Sequence, residues 1–169
     1  MLNDIGNSAL REAILDSDRF AERILCLLLG KAKPVTLDEQ VEDSLMRLNS
    51  CLDDALLSRI GQLWFAPVLA NLVLTPAARS GYGLDDRHDM RCLLNYRDHA
   101  ASSEIRALPV SPDYRYEGAG CVSAWLDQQP DTAAAAQLRL TLPLDLPAAS
   151  EARARLVSRV LDDADICGD

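Results

Sequence analysis

This sequence predicts a mainly α fold: one compact orthogonal helical domain over residues 1–169, with a single short extended or β segment near 138–146. Three observations predict it. Apolar residues recur at spacings of three and four along most of the chain, the repeat of a helix with one face in a core. Only 138–146, reading Leu-Arg-Leu-Thr-Leu-Pro-Leu-Asp-Leu, alternates with a period of two, the pattern of a half-buried strand. The chain has 169 residues and is 49% hydrophobic, enough to close a core without disulfide or metal. Aromatics are only 5%, so that core is built from Leu, Ala, Val and Ile.

The elements follow in order. Ser8 caps a short helix carrying Leu10, Ile14 and Leu15, and Ser17 caps a second with Phe20, Ile24, Leu27 and Leu28, stopped by Gly30. Thr36 and Glu39 form a capping box for a helix whose stripe is Val41, Leu45, Leu48 and Leu52. Residues 50–54 bend or break it, and Leu56, Leu57 and Ile60 resume the helical pattern. The stretch 63–74 is apolar around its whole circumference and predicts a central buried helix. Pro67 places its start near Ala66, because proline is tolerated best in a first turn.

Thr75 and Pro76 begin a short helix that ends at 80–83. Asp85 or Asp86 caps the next, with Met90, Leu93 and Leu94. Residues 107–112 hold two prolines and form a loop. From Tyr114 to Gln129 the pattern is helical with Val122, Trp125 and Leu126. Gly118 and Gly120 inside it imply close packing of another backbone, or a late helix start. Pro143 shortens the alternating stretch to an edge strand or extended segment, its leucines laid against Trp125 and the last helix. Ser150 caps that last helix, with Ala152, Leu156, Val160 and Ala164 on one face and Val157 and Leu161 beside them. Residues 162–169 form an acidic, frayed tail.

Charge and composition narrow the function. A net charge of −9 disfavours nucleic-acid and polybasic membrane binding, which need clustered cations. Lys31 and Lys33 are the lysines, and the remaining positive charge is arginine, which suits bidentate ion pairs. The five cysteines, Cys26, Cys51, Cys92, Cys121 and Cys167, are odd in number and widely spaced, as buried thiols of a reducing compartment are. The amino terminus has no signal-peptide pattern, and no apolar run reaches the ~20 residues of a membrane span. We expect a cytoplasmic protein with no membrane insertion.

No chemistry stands out. His88 and His99 lie in no metal-ligand pattern, Gly81 and Gly83 in no phosphate loop, and no serine in a nucleophile elbow. The charged cluster at 85–89 reads as a solvated first helical turn, with an acid–base pair as the functional alternative. We expect no catalytic, cofactor-binding or metal-ligating residues. Trp64 and Phe65 are either core anchors or leave one ring at the surface as a partner hot spot. With Asp85 and Asp86 they are the candidate partner-binding residues.

Gly120, then Ala124-Trp125-Leu126, a spacer with Pro130, and Leu138, Leu140, Leu142, Pro143 and Leu144 follow one another in a specific order. A helix with Leu156-Val157 and Val160-Leu161 comes next. This order resembles the SctK/YscK family, the cytosolic adaptors of the type III secretion sorting platform. A weaker match lies at Arg47-Leu48, Leu52 and Arg59-Ile60, with Asn49 where the family has glycine. The resemblance is gapped and covers about two thirds of the chain. The aromatic- and proline-containing segment with which the family usually begins has no counterpart here.

The resemblance implies a non-enzymatic adaptor without cofactor, monomeric alone, at the cytoplasmic face of the inner-membrane injectisome. It would join the cytoplasmic domain of the ring protein (SctD-like) to the pod protein (SctQ-like). Two other classes stay open: a small acidic type III secretion chaperone, dimeric with a longer sheet, and a helical enzyme with dispersed site residues. The buried leucine face has its own test. Leu140→Asp would bury an unpaired charge and is expected to unfold or strongly destabilise the domain. A wild-type thermal melt for that variant would remove Leu140 from the buried face.

Overall fold

The structure, a computed structural model, describes residues 39–71, 76–82, 84, 87–98, 105, 108–130 and 132–163. Eight helices form among them: α1 (Glu39–Cys51), α2 (Asp54–Trp64), α3 (Ala66–Leu69), α4 (Pro76–Gly81), α5 (Arg87–Tyr96), α6 (Tyr114–Leu126), α7 (Ala133–Thr141) and α8 (Glu151–Asp162). No strand occurs among the described residues. The mainly α prediction therefore holds. The helices expected before Gly30, the Thr36 cap, Thr75 and the tail beyond 163 lie outside the described residues.

Side-chain caps set most of the starts. Asp53, extended at φ −133°, accepts the Leu56 amide at 2.7 Å and separates α2 from α1. That break falls within the 50–54 expected. Asp113 accepts the Tyr116 amide at 3.0 Å to open α6. Thr132 accepts from Ala135 at 3.1 Å for α7, and Ser150 from Arg153 at 3.3 Å for α8. Each cap satisfies one of the amides a helix start leaves without an intrahelical partner.

The expected central helix at 63–74 is not there. The chain turns at Phe65, α2 ends at Trp64, and α3 is a four-residue helix. Pro67 is the reason. Were α2 to continue, residue 67 would have to donate to the Leu63 carbonyl, and proline has no proton to give and a ring that clashes there. Pro67 sits instead in the first turn of α3, next to Ala66 as expected. The central helix is α6. Gly118 to Val122 and Ala124 to Leu126 are all buried. It packs against α2, α7 and α8.

Residues 138–146 do not form a strand either. Leu138 to Thr141 are the last turn of α7, and extended backbone begins only at Leu142 (φ −84°, ψ 152°). The leucine alternation is also compatible with a helix, because Ala135, Leu138 and Leu142 are spaced by three and four and all enter the core. Ala133 to Ala136, strong helix formers, then decide for α7. Leu140 is buried as well, while Leu144 is exposed, so the leucines do not share one face. An extended segment does exist, at 142–150, without a β partner.

The α2–α6 crossing is the most intimate contact in the fold. Gly61 and Gly118 make it so. A Cβ on Gly61 would collide with the Tyr114 carbonyl oxygen and lie 2.9 Å from the Gly118 nitrogen. A Cβ on Gly118 would collide with the Leu57 carbonyl oxygen and lie 3.0 Å from the Gly61 nitrogen. The two backbones touch reciprocally, each glycine against the carbonyl of the residue four before the other. Close packing was one of the two readings of Gly118 from sequence. Gly61→Ala and Gly118→Ala are each expected to destabilise by about 3 kcal/mol or more, the upper range for overpacking, because backbone cannot rotate away. Urea unfolding checks this; a cost under about 1 kcal/mol would mean that the helices are further apart than they stand here.

Candidate functional site

Arginines organise the polar interior. Arg153 on α8 is buried although charged, with 8% of its surface exposed. Its Nη2 donates to Glu117 Oε2 at 2.7 Å, and its Nη1 to the Glu117 carbonyl at 3.2 Å and Cys121 Sγ at 3.6 Å. Its guanidinium also stands 4.3 Å from the Trp64 ring centroid. One side chain thus joins α2, α6 and α8 through an ion pair, a carbonyl, a thiol and a cation–π contact.

Three more arginines close helix ends. Arg47 Nη1 donates to Leu161 O at 2.8 Å in the last turn of α8. Arg139 Nη2 donates to Leu126 O at 2.6 Å, the final carbonyl of α6. Arg159 Nη2 donates to Asn95 O at 2.7 Å near the end of α5. These carbonyls lack intrahelical donors and carry the negative end of the helix dipole, so a cation there is doubly favourable.

Two smaller polar groups tie the loops down. Arg59 pairs with Asp89 at 2.7 Å and donates to Gln62 Oε1 at 2.6 Å, linking α2 to α5. Gln62 Nε2 and the Tyr114 hydroxyl both donate to the Tyr82 carbonyl, at 3.3 and 3.2 Å. The Tyr96 hydroxyl donates to Asp163 Oδ2 at 3.0 Å, and the Arg159 guanidinium lies 4.7 Å from the Tyr96 ring centroid.

Trp64 and Phe65, named as partner-binding candidates, lie in the core at 5% and 4% exposure. The surface-hot-spot reading is corrected for both: Trp64 is covered by Arg153, and Phe65 meets the Tyr114 ring edge-on at 6.1 Å. The chain turns inward between α2 and α3, which carries both rings away from solvent. Asp85, Asp86 and His99 lie outside the described residues, as does the His88 side chain. The structure therefore brings none of the four candidates together at a surface. The large apolar residues it does expose are Met46, Leu94, Val110, Tyr116 and Leu144, with Val110 at 96%. Met46 and Leu94 carry a weak sequence signal, since each falls beside rather than on its helix's buried stripe.

Cys51, Cys92 and Cys121 are free thiols. Burial pushes the Cys121 thiol up to about 12, against the pull of Arg153. Burial likewise raises Tyr114 to about 12, and burial with the Asp163 hydrogen bond raises Tyr96. These groups are held protonated and are poor nucleophiles or bases at neutral pH. Among the described residues no cluster of three or more His, Cys, Asp or Glu side chains could hold a metal ion. No described helix is long and apolar enough to cross a membrane. No protein-family model, curated protein or solved structure matches the chain.

Two measurements follow from this interior. Arg153→Met leaves Glu117 half-buried without its cation and is expected to cost about 2–3 kcal/mol, below a fully buried pair because the carboxylate keeps some water. Adding Glu117→Leu should return much of that loss, as read in a double-mutant cycle by urea unfolding. The second concerns pH. The unfolded chain loses the Cys121 and Tyr114 protons near their ordinary 9.0 and 10.0, while the folded chain holds both to about 12. Stability is therefore whole below about pH 9 and falls as pH rises toward 12. Cys121→Ala should flatten that alkaline slope, as seen in melts taken across this range.

Proposed function

We propose that the chain is a non-enzymatic adaptor of the type III secretion sorting platform. It would act at the cytoplasmic face of the inner membrane, joining the cytoplasmic domain of an SctD-like ring protein to an SctQ-like pod protein. The observation that carries this reading is the ordered set of residues shared with the SctK/YscK pattern. Gly120, Trp125, Leu138, Leu142, Leu156, Val157, Val160 and Leu161 are all buried, on α6, the end of α7 and α8. They pack as one contiguous unit, so the shared pattern describes a way of packing three helices. It supports a common fold and assigns no contact to a partner.

An adaptor of this kind binds by surface complementarity. A few apolar side chains provide affinity, and the surrounding charges select the partner and speed its approach. The exposed residues that fit the first role are Met46 on α1, Leu94 on α5 and Val110 in the loop before α6. The acidic excess favours partners with basic rims.

Co-purification decides. The full chain, mixed with the ring-protein cytoplasmic domain and the pod protein of its own secretion system, is expected to retain both. Capture of neither would end this reading. Met46→Asp, Leu94→Asp and Val110→Asp, with melts unchanged, are expected to weaken at least one of the two captures about ten-fold or more, as removal of an interface anchor does.

A further inference from the structure

Residues 143–149 run extended between α7 and α8 and make no hydrogen bond to any described residue. Pro143 and Pro147 have no amide proton to offer. Pro143, Leu144, Asp145, Ala148 and Ala149 are exposed, and only Leu146 and Pro147 turn inward. Leu146 rests on the margin of the core. Pro147 sits in a notch on α6 that exists because residue 120 is glycine: a Cβ there would lie 2.7 Å from Pro147 Cδ and 2.9 Å from its Cγ. The same point lies 3.2 Å from Arg153 Nη1, the nitrogen that donates to the Glu117 carbonyl and Cys121 Sγ. The proline ring therefore covers the outer side of the Arg153 cluster.

We propose that residues 143–149 form a strap that opens on its own, with the helices intact, and that Pro147 leaving the Gly120 notch uncovers the Glu117–Cys121–Arg153 cluster. Local opening is easiest where few apolar contacts and no backbone hydrogen bonds hold a segment. The strap meets both conditions, while its flanks do not. Leu142 is anchored in the core on one side, and the Ser150 cap with Ala152 and Arg153 on the other. Lifting the strap removes two inward side chains. Lifting either helix would expose Leu138, Leu156 or Val157, each at most 1% exposed.

The glycines separate this strap from the rest of the fold. At Gly61 and Gly118 the obstacle to a methyl group is backbone of a packed helix. At Gly120 it is a proline ring on a segment free to move, so Gly120→Ala should displace the strap and leave the helices in place. Alanine is also the better helix former at that position.

Cys121 reports the opening. In the full chain with Cys26→Ser, Cys51→Ser, Cys92→Ala and Cys167→Ser it is the one thiol left, and iodoacetamide can reach it only when its cover moves. Its alkylation rate is expected to exceed the rate set by global unfolding and to stay flat at low urea, because local opening exposes little surface. Gly120→Ala should accelerate it about ten-fold or more with the urea midpoint unchanged. Pro147→Gly, which empties the notch without adding an atom to α6, should do the same and decides the matter should Gly120→Ala not fold. Alkylation that tracks global unfolding in the parent, or Pro147→Gly without acceleration, would overturn the proposal.

Discussion

Everything in this fold hangs on how near α2 and α6 come to each other. With glycine at 61 and 118 the two backbones meet directly, and each fills the space a side chain would take. That nearness lets α6 be buried on nearly every side, with α8 on a second flank and α7 on a third. A chain with so few aromatic residues has little bulk with which to fill gaps. Drawing the helices together is the alternative way to reach native packing density.

The same nearness leaves the interior with polar ends to satisfy, and arginine meets that demand. A guanidinium is long, planar and rich in donors, so it reaches from one helix to a terminal carbonyl on another while its stem packs on apolar surface. Arg47, Arg139 and Arg159 do this for α8, α6 and α5. Arg153 does the more demanding work of holding a carboxylate, a carbonyl and an indole at once. The arginine-rich, lysine-poor composition thus has a structural use within 39–163, where no lysine occurs.

Much of the helical order was legible in the chain. The break at 50–54, the start at Ala66, the short helix from Pro76, the Ser150 cap and the buried face of α8 were all readable from caps, prolines and spacing. Two readings went astray for physical reasons. The run 63–74 looked central because it is apolar throughout, yet one missing amide proton at Pro67 divides it. The leucines of 138–146 looked like a strand because residues four apart satisfy a period of two and, nearly, a period of 3.6. Ala133 to Ala136 held the deciding signal. Asp53, Asp113 and Thr132 were available as caps and went unread. The candidate site was less legible than the fold. Burial of Trp64 and Phe65 depends on the turn between α2 and α3, and Arg153 carries no local mark of the partners it meets on other helices.

The three glycines on these helices face different obstacles, and that governs how the sequence is free to drift. Gly61 and Gly118 each abut backbone atoms, which every residue possesses. No substitution elsewhere can make room for a side chain at either, so both positions should stand invariant through divergence and show no covariation with each other. Gly120 abuts the ring of Pro147. A change at 147 relieves a change at 120, so those two positions are free to vary as a pair, and the connection between α7 and α8 with them.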